Sequence, residues 1–65
     1  MNTMEMKGNW TDLKGQIKEK WGELTDDDLT RIDGKRDQLV GAVQKRYGVA
    51  QSAAEREIDS WLSSR

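Results

Sequence analysis

Apolar residues recur at intervals of three and four along most of the chain, with polar residues between them. The first such series consists of Trp10, Leu13, Ile17 and Trp21. This spacing is typical of an amphipathic helix. Asn9 is suited to cap its start, and Gly22 is suited to end it because glycine adopts the left-handed conformation readily. The pattern predicts a first helix from about Trp10 to Trp21.

A second helix start follows at Thr25, which is a favourable N-cap residue. Three consecutive aspartates, residues 26–28, come next and place negative charge near the N-terminus of the helix, where it is stabilising. Leu24 precedes the cap and is spaced to pack on Leu29, as in a hydrophobic staple. This segment is the strongest local helix signal in the sequence.

The stretch after this helix start has two interpretations. Thr30 and Asp33 fit a further capping pair, whereas Gly34 lowers the helix propensity of the same stretch. A short helix therefore either ends near Asp33 or turns there. The sequence leaves open whether the third helix begins before or after Gly34.

The second half of the chain predicts two more helices. From Lys35 onward, one helical face carries Leu39, Val40, Val43 and Tyr47, and Gly48 follows as a stop. Ser52 and Glu55 then form a capping-box pattern. The helix that follows carries Ala54, Ile58, Trp61 and Leu62 at helical spacing. The predicted fold is all-α, with four short helices.

The pattern occurs twice, and the second copy is offset by 26 residues, from Leu13 to Leu39. The matching sets are Leu13, Gly15, Ile17, Lys20, Trp21, Gly22 and Leu39, Gly41, Val43, Arg46, Tyr47, Gly48. Each half consists of a helix, a glycine stop and a capped helix. The sequence predicts an approximate internal duplication, in which two helical hairpins pack together and bury both apolar faces.

A chain of 65 residues has room for one core. We predict a single helical domain over residues 9–65, preceded by a flexible segment over residues 1–8. Trp21 and Tyr47, which precede equivalent glycine stops, are expected in the core. The predicted core residues are Trp10, Leu13, Ile17, Trp21, Leu24, Leu29, Ile32, Leu39, Val40, Val43, Tyr47, Val49, Ile58, Trp61 and Leu62.

Composition excludes several kinds of chemistry. The chain has no Cys and no His, so it lacks a thiolate nucleophile, the usual general base, disulfides and the common soft metal ligands. We therefore expect no catalytic residues and no cofactor. No apolar run is long enough to span a bilayer, and the first residues lack the apolar middle of a signal peptide. The expected location is the cytoplasm, without membrane contact.

Two charged features could carry a function. The acidic run at 26–28 lacks the alternating ligand positions of a calcium loop, so we interpret it as favourable charge at a helix start. A candidate interaction surface consists of Arg31, Lys35, Lys45, Trp10 and Trp61. The three cations share one side of the third-helix region if that helix continues through Gly34. The two tryptophans lie near the ends of the domain, where partial exposure is expected.

Four segments of the chain together resemble the CsbD-like proteins, small bacterial stress-response proteins. The segments are Gly8-Asn9-Trp10 with Lys14-Gly15, Trp21-Gly22-Glu23-Leu24-Thr25-Asp26-Asp27-Asp28, Gly34-Lys35-Arg36-Asp37-Gln38-Leu39-Val40-Gly41 and Arg46-Tyr47-Gly48. The resemblance extends from Gly8 to Trp61. It implies two crossed hairpins in a SAM-domain-like arrangement and a link to general stress, and it provides no catalytic residues.

Two functional classes follow from these observations. The first is a stress-associated protein that acts through noncovalent interaction or protection. The second is a small nucleic-acid-binding module that uses Arg31, Lys35 and Lys45. The chain has 11 basic and 12 acidic residues, and its net charge of -1 is unlike that of a nonspecific DNA binder. The partner is not identified by the sequence, and either a monomer or a weak dimer is consistent with so small a core.

Overall fold

A computed structural model of the chain describes Met6 and residues 8–64. These residues contain four helices and no strand. The helices are α1 (Trp10–Lys20), α2 (Asp26–Ile32), α3 (Arg36–Tyr47) and α4 (Gln51–Ser63). Their number and class confirm the all-α prediction. Helix α3 has the closest backbone packing, against both α2 and α4. The exact crossing of the two hairpins and the duplication stay predictions.

The core is formed by one apolar stripe from each helix. Its buried residues are Met6, Leu13, Ile17, Trp21, Leu24, Leu29, Ile32, Leu39, Val40, Val43, Ala54, Ile58 and Leu62. Trp10 and Trp61 are half-buried and pack against this cluster. Eleven of the fifteen predicted core residues are therefore fully buried. Met6 was missing from the prediction and is only 1% exposed. The other residues of the predicted flexible segment, apart from Gly8, lie outside the described part of the chain.

The predicted core wrongly included Tyr47 and Val49, which are exposed. Tyr47 is the last residue of α3, and its hydroxyl accepts a hydrogen bond from the backbone N–H of Glu23 at 3.1 Å. The ring therefore lies over the connection between α1 and α2, where its polar atom also remains accessible. Val49 lies in the short connection to α4.

The ends of α1 differ from the prediction. Asn9 is the N-cap residue, but its side chain makes no capping hydrogen bond. The helix ends at Lys20 because Trp21 leaves the helical conformation, and Leu24 then donates a backbone hydrogen bond to the Trp21 carbonyl at 3.0 Å. Gly22 does not have a positive φ, so it is not the predicted left-handed stop. The predicted stop at Gly48 is confirmed, with φ 67°.

The capping box at α2 is confirmed. The Thr25 hydroxyl accepts from the Asp28 N–H at 3.1 Å, and the Asp28 carboxylate accepts from the Thr25 N–H at 3.0 Å. Leu24 and Leu29 are both buried, as a staple requires.

Helix α2 ends at Ile32, and the chain turns at Asp33 and Gly34, both in the left-handed conformation. Thr30 does not begin a new helix, because its hydroxyl donates to the Asp26 carbonyl inside α2 at 3.0 Å. Helix α3 therefore starts after Gly34, at Arg36, which settles the question that the sequence left open.

The predicted capping box at α4 is wrong. The helix starts at Gln51, and its N-cap residue is Ala50, without a side-chain cap. Ser52 therefore lies inside the first turn of α4 and not at the N-cap position. Glu55 instead accepts a hydrogen bond from the Gln51 side chain at 3.1 Å.

This difference between the two helix starts predicts unequal mutational effects. We expect Thr25→Ala to lower the free energy of unfolding by about 1 kcal/mol, the usual cost of losing a capping bond. Ser52→Ala is the matched control and should change it by less than about 0.5 kcal/mol. Chemical denaturation of both variants tests this. Equal losses at the two positions would show that the cap assignment is incorrect.

Candidate functional site

Helices α2 and α3 enclose a groove of about 150 Å³ on the surface of the domain. Its lining residues are Asp28, Arg31, Ile32, Gln38, Gly41, Ala42 and Lys45. The groove exists because the turn at Asp33 and Gly34 brings α3 back alongside α2. The half-buried Ala42 provides apolar surface over the buried Ile32, and two exposed cations, Arg31 and Lys45, provide charge. We call these seven residues the α2/α3 groove.

The carboxylate of Asp28 is the one buried charge among the described residues, and it is held by Arg46. The Arg46 guanidinium donates to both carboxylate oxygens, from Nε to Oδ2 at 2.7 Å and from Nη2 to Oδ1 at 3.1 Å. These bonds, followed by the bond from the Thr25 N–H, hold the pKa of Asp28 well below its usual value. Asp28 is therefore ionised at neutral pH and already neutralised by its partner.

Arg31 and Lys45 are exposed and make no ion pair within the described residues, although both line the groove. Four other cations are paired: Lys18 with Asp26, Lys20 with Glu57, Arg36 with Asp59 and Arg46 with Asp28. The exposed Lys14, Lys35 and Arg56 also make no ion pair among the described residues, but they lie outside the groove. The groove thus holds two cations whose hydrogen-bonding capacity the described part of the fold does not use. Such groups are available to an anionic partner.

The predicted surface of five residues is only partly brought together. Arg31 and Lys45 meet at the α2/α3 groove, whereas Lys35 is the N-cap residue of α3 and does not line it. The predicted common face required a helix running through Gly34, and that helix is interrupted. Arg31 and Lys45 share a surface because α2 and α3 pack side by side.

Trp10 and Trp61 are half-buried rather than freely displayed. The Trp61 ring meets the buried Trp21 ring edge to face, with centroids 5.3 Å apart and an interplanar angle of 73°. Trp21 also donates from Nε1 to the Glu57 carboxylate at 3.3 Å. Much of the Trp61 surface therefore serves packing between the end of α1 and α4.

A second ion pair connects α3 to α4. Arg36 donates from Nε and Nη2 to the two carboxylate oxygens of Asp59, both at 2.8 Å. The bonds raise the pKa of Arg36 and lower the pKa of Asp59. Sequence reasoning missed this pair and the Asp28 pair, since their partners lie 23 and 18 residues apart. It also missed Gln38 and Gly41 in the groove. A glycine inside a predicted helix lowers helix propensity and could have indicated a functional position there.

The acidic run at the start of α2 is divided between two ion pairs. Asp26 contacts Lys18, whose hydrogen bond lowers the pKa of Asp26, and Asp28 contacts Arg46. Within Met6 and residues 8–64, no three acidic side chains are grouped so that they could hold a metal ion. The same described residues contain no helix that is both long and apolar enough to cross a bilayer.

Comparisons with known proteins identify the class. The sequence model of the CsbD-like family matches residues 5–56. The chain is 61% identical over 61 residues to the UPF0337 protein YjbJ of Escherichia coli O6:H1, an alignment that covers 94% of this chain and 88% of the relative. A UPF0337 protein of Pectobacterium atrosepticum is 59% identical with the same coverage. One of Protochlamydia amoebophila is 49% identical over 57 residues, covering 88% of this chain and 86% of the relative.

The described residues therefore define a small all-helical domain with a groove between α2 and α3. The chain belongs to the CsbD-like stress-response family, as its sequence segments predicted.

Proposed function

We propose that this chain is a non-catalytic protein of the bacterial stress response that acts by binding a macromolecular partner at the α2/α3 groove. One observation carries the proposal: Arg31 and Lys45 line one groove without an ion pair among the described residues, while four other cations are paired. Unpaired charges beside apolar surface are suited to recognition by noncovalent contact.

The chemistry of the groove supports binding rather than catalysis. Its carboxylate, Asp28, is bonded to Arg46 and has a lowered pKa, so it holds no proton to donate near neutral pH. The chain has no His or Cys to replace it. The remaining polar side chains in the groove are two cations and the amide of Gln38, which can hold a ligand but do not form a nucleophile with its base.

Binding to nucleic acid is the second candidate, and the same two cations favour it. Its support is weaker, because Lys35 lies apart from the groove and the net charge is -1. Contacts to several phosphates would make the affinity fall steeply as salt rises. The cytoplasmic location and the monomeric or weakly dimeric state stay predictions.

We expect the double variant Arg31→Glu, Lys45→Glu to retain about tenfold less partner than the wild type in a pull-down from stressed bacterial lysate. Two solvent-exposed ion pairs contribute up to about 1 kcal/mol each, and a tenfold change in affinity corresponds to about 1.4 kcal/mol. Nuclease treatment of the lysate beforehand separates the two candidates. Protein retained after nuclease supports the proposal, whereas retention that nuclease abolishes supports nucleic-acid binding.

The matched control is Lys14→Glu with Arg56→Glu. These two cations are exposed on α1 and α4, lie outside the groove, and produce the same change in net charge when replaced. The control should retain partner as the wild type does. Equal loss in both double variants would show that general charge, rather than the groove, governs retention, and would contradict the proposal.

A further inference from the structure

Gly41 lies in the interior of α3 and lines the α2/α3 groove, where the residue is exposed. A Cβ atom built on Gly41 would meet nothing within 4 Å. Its φ is not positive, so neither its backbone conformation nor internal packing requires glycine. Glycine inside a helix is destabilising relative to alanine. The fold carries such a cost at Gly41, as it does at Gly15 in α1, and of the two only Gly41 lies in the groove.

We propose that the α2/α3 groove binds a short acidic polypeptide segment whose backbone lies against Gly41. The proposal rests on the binding function above and names the partner class. A carboxylate of the segment pairs with Arg31 and another with Lys45, and a small apolar side chain packs on Ala42. Glycine at position 41 allows the closest approach of a backbone to the helix.

Charge complementarity selects an acidic segment. Asp28 also lines the groove, but both of its oxygens are bonded to Arg46, so it does not neutralise Arg31 or Lys45. The guanidinium of Arg31 has a planar set of donors that matches a carboxylate, and Lys45 acts as a point charge. The two cations therefore favour carboxylates entering from solvent.

The composition of the groove favours polypeptide over nucleic acid. Gly41 and Ala42 offer a small apolar floor, which suits a short aliphatic side chain and gives nothing to a sugar-phosphate backbone. Two cations would neutralise few phosphates, and none of the described residues that line the groove is aromatic and able to stack on a base. A peptide with two carboxylates satisfies both cations and the apolar floor at once.

The test is a titration of the isotopically labelled full chain, followed by NMR of its backbone amides. The probe is a blocked nine-residue peptide that alternates glutamate with alanine and leucine, and its control is the same peptide with glutamine at each glutamate position. We expect the glutamate peptide to shift the amides of Arg31, Gly41 and Lys45, and to bind about tenfold more tightly than the glutamine peptide.

Gly41→Ala and Gly15→Ala form a matched pair. Gly15 is also exposed inside a helix, with nothing within 4 Å of an added Cβ, but it lies on α1 outside the groove. Each substitution should raise the melting temperature by about 3–6 °C, because each removes an interior glycine from a small domain. Only Gly41→Ala should weaken peptide binding, by about tenfold.

Four results would overturn the proposal. They are equal binding of the two peptides, unchanged peptide affinity in Gly41→Ala, groove shifts that appear with an oligothymidine at lower concentration than with the glutamate peptide, and absence of groove shifts at several millimolar peptide. The proposed binding function is judged separately by the groove-dependent pull-down, so its failure and the failure of the peptide assignment are distinguishable.

Discussion

Trp21→Ala should lower the free energy of unfolding by about 3–5 kcal/mol, the range for truncating a buried aromatic residue. The side chain is only 3% exposed and packs edge to face against Trp61. Its indole N–H also bonds to Glu57, so the substitution removes contacts between the end of α1 and α4. A domain of this size has a small reserve of stability, and the variant should be largely unfolded at physiological temperature.

Urea denaturation followed by circular dichroism measures this loss. Val49→Ala is the control, because Val49 was predicted in the core and is exposed, and its substitution should cost less than about 0.5 kcal/mol. A loss below about 1 kcal/mol for Trp21→Ala would mean that the ring is not part of the core.

Asp28→Ala has the second largest expected effect, a loss of about 2–3 kcal/mol. The substitution removes the carboxylate that accepts the hydrogen bond from the Thr25 N–H in the capping box. It also removes both hydrogen bonds from Arg46. Capping bonds contribute about 1 kcal/mol and charge-assisted bonds about 1.5–3 kcal/mol, and the two are not fully additive. Asp27→Ala is the control, since Asp27 is exposed and should change stability by less than about 0.5 kcal/mol.

The same variant should respond differently to acid. The pKa of Asp28 is lowered in the folded state relative to about 3.9 in the unfolded state. The ionised Asp28 therefore contributes its full stabilisation at pH values above its unfolded-state pKa. This stabilisation is lost as the pH falls toward its lower folded-state pKa. The stability gap between the wild type and Asp28→Ala should narrow below about pH 4. A gap that is constant from neutral pH down to acid unfolding would contradict the ion pair.

The helices and most of the core were predictable because both depend on local periodicity. Leu13 with Ile17, and Ile58 with Leu62, are spaced for one helical face, and each is buried. The cap at Thr25 was equally visible, since the threonine and the aspartates form one short pattern. Local spacing therefore identified the elements and the faces that they bury.

The errors arose where a local pattern competes with tertiary structure. Ser52 and Glu55 have capping-box spacing, but the N-cap residue is Ala50, two residues earlier, and the Gln51 side chain donates to the Glu55 carboxylate. Gly22 resembled a stop, whereas the helix ends one residue before the buried Trp21, which has a non-helical backbone conformation. Neither outcome is visible in the spacing of the residues alone.

The candidate site was only half predictable for the same reason. Arg31 and Lys45 were identified as a shared surface, but through a continuous helix that the turn at Gly34 interrupts. The groove, and the neutralisation of Asp28 by Arg46 beside it, require knowledge of how α2 packs on α3. Charge identity is visible in the sequence, whereas charge pairing is a property of the fold.

Site-specific photo-crosslinking in stressed bacteria tests the binding function most directly. A benzoylphenylalanine placed at Gln38, which is exposed in the α2/α3 groove, is compared with one at Ser52, which is exposed on α4 outside it. We predict discrete protein adducts from position 38 that disappear when Lys45→Glu is added, and none from position 52. No adduct from position 38, the same adducts from both positions, or adducts that persist with Lys45→Glu would contradict binding at the groove.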